Sequence, residues 1–360
     1  MEDKRITQKD IARHLEVSIG TVSLALRNDA RISERVRGEV KAAAREMGYS
    51  PDPMLRSLAD YRRKTAPAGE SRGQCIAYLL PACYAEEGRS NETLQGVEDR
   101  ARSLGYKVEV LPWDGTKQQI EQFLRVCYNR GIRGLLLQVP FQVLPEWNLD
   151  VSRFSVVHVN GPPSSELTSV CSSHFESARL AANRLREAGY RRFGLVLDER
   201  HPEHGMVRQQ AGFDTTLRRS GIAEGCALHT LPAQRRLDTT IRNLEAWIRK
   251  NRLDCVVVGG TGEGLGDSFE SIRRSCKGAF GYAVLDIYGR IDSELTGIDI
   301  RRRRIGEEAV SVLNSRLSQN YFGVESAGAV TMVRGVWRTG KTAPGIRQAE
   351  SGAGSVDTAF

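Results

Sequence analysis

The chain lacks any long apolar run. Its most apolar stretches, such as Gly134 to Leu137 and Cys255 to Val258, fall far short of the roughly 20 residues that a membrane-spanning helix needs. A helical span is therefore excluded, and no membrane partner is expected. The segment Met1-Glu2-Asp3-Lys4-Arg5 is charged and no apolar stretch follows it, so nothing resembles a signal peptide and a cytoplasmic location is expected. Seven cysteines (75, 83, 127, 171, 226, 255 and 276) stand at least eight residues apart. No Cys-x-x-Cys pair exists for zinc or redox work, and free buried thiols are the expectation.

Catalytic signatures are missing as well. No Ser/His/Asp or paired-carboxylate arrangement can be placed, so no catalytic residue, no cofactor and no metal is expected. His201-Pro202-Glu203-His204 is the nearest approach to a metal cluster, but Pro202 breaks the helical spacing and no third ligand stands nearby. Gly335 to Thr342 fits the letters of a phosphate-binding loop, yet Ala343-Pro344-Gly345 follows where a helix would have to open. Gly259 to Gly266 follows a strand but misses the Gly-x-Gly-x-x-Gly spacing.

What is present is a globular composition. Hydrophobic residues make up 40% and charged residues 27% of 360, enough for two or three compact units. The net charge is +8, and residues 1–64 hold 14 basic against 10 acidic side chains. A basic, compact end points towards nucleic acid or another polyanion.

Three regions separate. Residues 1–50 show three short amphipathic helices. Thr7-Gln8-Lys9-Asp10 reads as a capping box with Asp in place of Glu, followed by the apolar face of Ile11, Ala12 and Leu15. After Glu16-Val17, Ser18 caps a second helix that turns Val22, Ala25 and Leu26 inward. A third starts near Ser33, carries Val36, Val40, Ala43, Ala44 and Met47 on one side, and stops at Gly48. Residues 51–72 form a hinge and linker with one potential short helix, too short to hold in isolated water.

Residues 73–342 alternate short apolar strands with amphipathic helices. Strands are expected at Cys75–Leu80, Lys107–Leu111, Gly134–Val139, Ser155–Val159, Phe193–Leu197, Cys255–Val258 and Ala279–Leu285. A repeated phrase closes the helices between them: Leu104-Gly105-Tyr106, Arg130-Gly131-Ile132 and Ala188-Gly189-Tyr190. Such alternation means parallel sheets, and its length implies two lobes with a ligand cleft between them. Residues 343–360 read as a flexible tail.

A short turn between two helices exposes the first turn of the second, where it can enter a major groove. Thr7, Ser18, Thr21, Ser23 and Ser33 sit at or near helix starts, where hydroxyls and free backbone N–H groups hold phosphate oxygens. Ile6 to Ala59 closely resembles the lactose-repressor (LacI/GalR) family of bacterial transcription regulators. The resemblance is carried by Asp10-Ile11-Ala12, Val17-Ser18-Ile19-Gly20-Thr21-Val22-Ser23, Ile32-Ser33, Val36-Arg37, Gly48-Tyr49-Ser50-Pro51 and Arg56-Ser57-Leu58-Ala59.

The resemblance implies an all-α helix-turn-helix DNA-binding domain followed by an α/β two-lobed effector domain similar to periplasmic sugar-binding proteins. It implies base-edge readout at the positions of Ile19, Gly20 and Leu24, and Arg27 is a further expected DNA-binding residue. None of the first three can make the paired hydrogen bonds that read guanine or adenine, so methyl contacts or DNA shape must contribute. It also implies a hinge that folds on DNA and inserts Leu58, beside Leu55, into the minor groove of a near-palindromic operator as a homodimer pair.

Gly189 to Val196, Ala211-Gly212-Phe213 and Leu295 to Asp299 extend the likeness through the α/β region. The expected effector-binding residues are Asn160, Ser173, Arg208, Gln209 and Asp286. Ser173 stands where the family usually has Asp, and Gln209, preceded by Arg208, where it usually has Arg. The effector would be a small molecule, a sugar or sugar derivative. The alternative is a soluble sugar-binding receptor without specific DNA readout. The run Arg301 to Arg304 is either a phosphate-neutralising patch or a solvated helix face.

Overall fold

The structure is a computed structural model and describes residues 6–26, 28–29, 31–49, 74–82, 91–138, 148–160, 167–199, 203–222, 226–232, 237–259, 266–276, 280–287, 294–324 and 328–346. Arg27, Leu55, Leu58, Cys83, Val139 and the His201-Pro202 pair lie outside them.

The head holds α1 (Gln8–His14), α2 (Ile19–Leu26) and α3 (Glu34–Glu46). Their apolar faces meet in one cluster of Ile11, Ala12, Val22, Ala25, Val40, Ala43 and Ala44, ringed by Ile6, Leu15, Val17, Leu26, Ile32, Val36, Met47 and Tyr49. Helices of seven to thirteen residues are marginal alone, so this shared core is what holds them.

Among the described residues, twelve strands form two six-stranded sheets. The first sheet orders as β11-β5-β4-β3-β1-β2, where β1 is Cys75–Pro81, β2 Lys107–Trp113, β3 Gly134–Leu137, β4 Ser155–Val159, β5 Ser169–Ser172 and β11 Val330–Val333. β2, β3 and β4 each pair in parallel along β1 or β3, and β5 in parallel with β4. β1, β3, β4 and β5 are buried almost throughout, as strands covered on both faces must be. Pro112 sits in β2, the strand at the sheet edge, where a missing N–H breaks no ladder. Helices α4 (Glu92–Ser103) and α5 (Lys117–Asn129) connect these strands. Thr116 caps α5, and Ile120, Phe123, Leu124 and Cys127 follow at helical spacing into the core.

The second sheet orders as β12-β10-β9-β8-β6-β7: β6 Phe193–Asp198, β7 Ala227–Leu231, β8 Cys255–Val258, β9 Gly281–Val284, β10 Gly297–Asp299 and β12 Val336–Arg338. Its pairs are parallel except β10 with β12. Around it stand α6 (His174–Glu187), α7 (Glu203–Arg219), α8 (Leu237–Lys250) and α9 (Gly266–Ser275). α10 runs Arg302–Ser318. The chain divides into two compact units, 1–170 with 303–331 and 171–302 with 332–360, so each unit is built from separated stretches of sequence.

The repeated helix ending has one cause. Gly105, Gly131 and Gly189 have φ of 81°, 72° and 103°, and the following residue's N–H closes onto the carbonyl five back: Tyr106 on Ala101, Ile132 on Cys127, Tyr190 on Leu185. Gly221 repeats it, with Ile222 closing onto Leu217.

Differences from the sequence reading are local. β5, β7, β10, β11 and β12 were not anticipated, and β12 adds an antiparallel edge to sheets expected to be parallel. The strand expected at Ala279–Leu285 is confined to Gly281–Val284. The first residues of the expected tail are held: Ala343 is buried, the Tyr190 hydroxyl donates to the Pro344 carbonyl at 2.6 Å, and Ile346 N–H bonds the Ala188 carbonyl, while residues 347–360 lie outside the described ones.

Candidate nucleic-acid interface and ligand residues

The entry to α1 is set by Thr7, whose backbone N–H and hydroxyl both donate to the Asp10 carboxylate at 2.9 and 2.6 Å. The turn after α1 depends on Glu16, at φ 55°, which lets Val17 N–H bond the Ala12 carbonyl at 3.0 Å. Ser18 then caps α2. Its Oγ accepts from Thr21 N–H at 2.9 Å and lies 2.9 Å from the Thr21 hydroxyl.

This geometry presents one helical turn outward. Ser18, Ile19 and Gly20 are exposed, Thr21, Ser23 and Leu24 are half-buried, and Val22 and Ala25 are fully buried. Ile19 is 48% exposed, an apolar group with no part in the core. Gly20 is not demanded by packing, because an added Cβ would meet only the Ser18 Oγ, at 3.5 Å. Its bare backbone leaves room for close approach from outside. Ser33 is exposed and caps α3, accepting from Val36 N–H at 3.4 Å.

Sequence reasoning missed the device between α2 and α3. Asn28 is left-handed at φ 59°; Arg37 donates to its carbonyl at 3.2 Å and Lys41 to its side-chain oxygen. Asn at the end of an amphipathic run was the available signal.

The five expected ligand residues are separated by the unit division. Asn160 belongs to the first unit. It follows β4 at φ 58°, half-buried, with its N–H on the Val170 carbonyl at 2.8 Å. Ser173, Arg208, Gln209 and Asp286 belong to the second unit. Ser173 is buried before α6, its N–H bonding the Val333 carbonyl at 3.0 Å.

Gln209 is 3% exposed, and a Cβ on Gly259 would stand 2.7 Å from its Oε1, so its amide reaches the end of β8. Arg208, half-buried, lies close enough to oppose the upward push that burial gives the Cys171 thiol. Gly212 lets α7 press onto α6, since a Cβ there would lie 2.3 Å from the Phe175 carbonyl oxygen. Phe213, next in line, is buried edge-on to Phe193 at 5.8 Å.

Asp286, just past β9, is clamped. Both its oxygens accept from the Arg302 guanidinium at 2.5 Å. Arg302 therefore fits neither the phosphate-neutralising patch nor the solvated face expected at 301–304, because the start of α10 turns it inward onto this carboxylate. Sequence reasoning also missed Asp198, buried at the end of β6. Among the described residues no group of three His, Cys, Asp or Glu side chains could hold a metal. No helix of the described residues is long and apolar enough to cross a membrane.

A three-helix head with an outward-facing second helix, followed by two mainly parallel α/β sheets, defines a helix-turn-helix protein with an appended two-sheet domain. Residues 7–52 match the family described as "Bacterial regulatory proteins, lacI family". The chain is 29% identical over 224 residues to the HTH-type transcriptional repressor CytR of Escherichia coli (strain K12), covering 61% of this chain and 62% of that protein. It is 22% identical over 330 residues to the HTH-type transcriptional repressor PurR of Aliivibrio salmonicida, covering 88% and 93%.

In fold it is similar to the lac repressor dimer bound to operator and the anti-inducer ONPF, with a TM-score of 0.56, 18% identity and coverage of 95% and 100%. The family match thus covers the head, and the likeness to solved structures extends the fold over the α/β region.

Proposed function

We propose that the chain is a cytoplasmic, homodimeric, sequence-specific DNA-binding transcription repressor whose operator affinity is set by a small molecule, a sugar or sugar derivative, bound by the α/β units. The observation that carries this reading is the outward first turn of α2. Ile19 and Gly20 are exposed there without a packing role, and capped hydroxyls flank them.

Thr7, Ser18, Thr21, Ser23 and Ser33 would hold phosphate oxygens at helix starts. Ile19, Gly20 and Leu24 would face base edges, where apolar contact suits the thymine methyl group. Arg27 and the hinge leucines Leu55 and Leu58, within a linker over 51–72, complete the DNA-contacting set. Asn160, Ser173, Arg208, Gln209 and Asp286 would contact the effector. The names of the relatives, transcriptional repressors both, and the operator-bound dimer named among the similar structures support this assignment.

The test is selection of bound sequences from random duplex DNA by the full chain at about 0.15 M salt, where specific and non-specific binding separate. A two-fold symmetric site with a central CG step is expected. Salt-sensitive binding with no recovered motif would overturn specific readout. Leu58→Ala should weaken binding to the recovered site by about 1 kcal/mol or more, as loss of a groove wedge does, with the dimer intact.

A further inference from the structure

Among the described residues, three of the four side chains in the run Arg301 to Arg304 are paired with carboxylates. Arg302 is buried against Asp286, Arg303 meets Asp99 and Glu307, and Arg304 meets Glu307 and Glu308. Another cluster gathers at one rim of the first sheet. β1, β2, β3 and β4 are parallel, so all four begin on that rim. It carries Lys107 at the start of β2, Arg133 just before β3 and Arg153 just before β4, all exposed. The end of α5 adds Tyr128 and Arg130.

Backbone pairing sets these side by side. Lys107 N–H bonds the Gln74 carbonyl at 3.1 Å, and Ser155 N–H bonds that of Arg133 at 2.8 Å. Arg133 Nη1 also donates to the Arg153 carbonyl at 3.3 Å. The guanidinium carbons of Arg133 and Arg153 stand 5.4 and 4.6 Å from the centroid of the Tyr128 ring, which is itself 41% exposed.

Two guanidinium groups thus share one aromatic ring at the surface. Of the nearby carboxylates, Glu109 is taken by Arg130. Asp150 accepts from Ser152 N–H at 3.0 Å and feels Arg153 only as the weakest of its influences. Among the described residues no carboxylate forms an ion pair with Arg133 or Arg153. Like charges gathered this closely repel, and an anion bridging them removes the repulsion. The planar guanidinium fork matches phosphate in particular. The polypeptide leaving the head rejoins the sheet at Gln74, on this same rim; the opposite rim carries Asp114 and Asn160 instead.

We propose that the rim of Lys107, Arg133, Arg153 and Tyr128 binds backbone phosphates of duplex DNA flanking the site occupied by the head. The inference rests on the reading that the head binds duplex DNA.

The test measures the salt dependence of binding by the full chain to random-sequence duplexes of about 40 and about 18 base pairs, the shorter one offering no flank. R133Q/R153Q should lower the slope of log affinity against log salt by about 1.8 for each protomer whose rim reaches the long duplex, at about 0.9 per phosphate contact, and leave the short one unchanged. Between 50 and 200 mM salt that is about a twelvefold smaller loss of affinity per protomer. R133K/R153K should keep the original slope, since charge and not stacking is at work.

An unchanged slope on the long duplex, an equal change on both duplexes, or a lysine variant behaving like the glutamine one would overturn the inference. So would a changed oligomeric state of the glutamine variant by sedimentation, which would make the rim a self-interface. If the unaltered chain bound neither duplex, the reading of the head would fail as well, whereas binding with equal slopes sinks the rim alone.

Discussion

Asp286 and Arg302 form a two-pronged ion pair, Nη1 to Oδ1 and Nη2 to Oδ2 both at 2.5 Å, with each side chain about 11% exposed. The carboxylate is therefore already neutralised, so a hydroxyl that approached it would meet an ion pair rather than a lone anion. Removing one partner leaves a nearly buried charge without its counterion, which costs about 3–5 kcal/mol. Arg302→Ala and Asp286→Asn should each lower the urea midpoint accordingly, and the double variant should lose less than the two losses combined. Additive losses would show that the two groups do not act as a pair.

Gly20 separates recognition from folding. Gly20→Ala meets only the Ser18 Oγ at 3.5 Å and sits inside a helix, so thermal stability should rise by about 0.5–1 kcal/mol through lower unfolded-chain entropy. The added methyl would stand on the outward turn, and the DNA motif recovered by selection should change or weaken. A stabilised variant with the original motif would remove Gly20 from the interface.

The opposite holds for Gly212. A Cβ there would fall 2.3 Å from the backbone oxygen of Phe175, which cannot move without shifting α6 against α7. Gly212→Ala should destabilise the second unit by about 1–3 kcal/mol, as overpacking does. Urea unfolding followed by tryptophan fluorescence, reading Trp247 on α8, would check it. No change in midpoint would mean that the helices separate at little cost.

Burial pushes the Cys127 and Cys226 thiols up to about 12. Both are therefore protonated at neutral pH and should react slowly with an aromatic disulfide reagent at about pH 8, since the thiolate is the nucleophile. The folded value lies above the ordinary value of 9.0, so the folded state binds the thiol proton more tightly than the unfolded chain does. This contribution to stability is complete below pH 9 and falls as pH rises towards 12. Melting temperatures measured across that interval should decline less steeply for Cys127→Val than for the unaltered chain. Identical slopes would show that Cys127 does not contribute.

Local chemistry made the head readable before any fold was seen. Thr7 with Asp10, Ser18 with Thr21, and Ser33 with Val36 make their bonds within three residues of sequence, and the apolar positions at helical spacing leave one way to bury them. The same applies to the fully buried strands: Ser155–Val159 and Cys255–Val258 match their expected bounds, because a strand covered on both faces is an uninterrupted apolar run. The edge strand β7 and the short strand β10 escaped notice for the converse reason. β7 alternates between exposed and buried, and the three residues of β10 become a strand only through partners such as Arg338, far along the chain from Gly297.

Charge shows the same division. Residue order alone set the helix caps, the glycine-closed turns and the outward turn of α2, because these depend on contacts a few residues apart. It could not say which arginines remain accessible. Arg301 to Arg304 is the most conspicuous basic run, yet folding buries Arg302 on Asp286, 16 positions earlier, and sets Arg303 on Asp99, 204 positions away. Meanwhile Arg133 and Arg153, unremarkable in sequence and 20 positions apart, are brought to one tyrosine ring. Coulomb energy falls with distance in space and not along the chain, so only the tertiary structure decides which charges cancel and which remain for a partner.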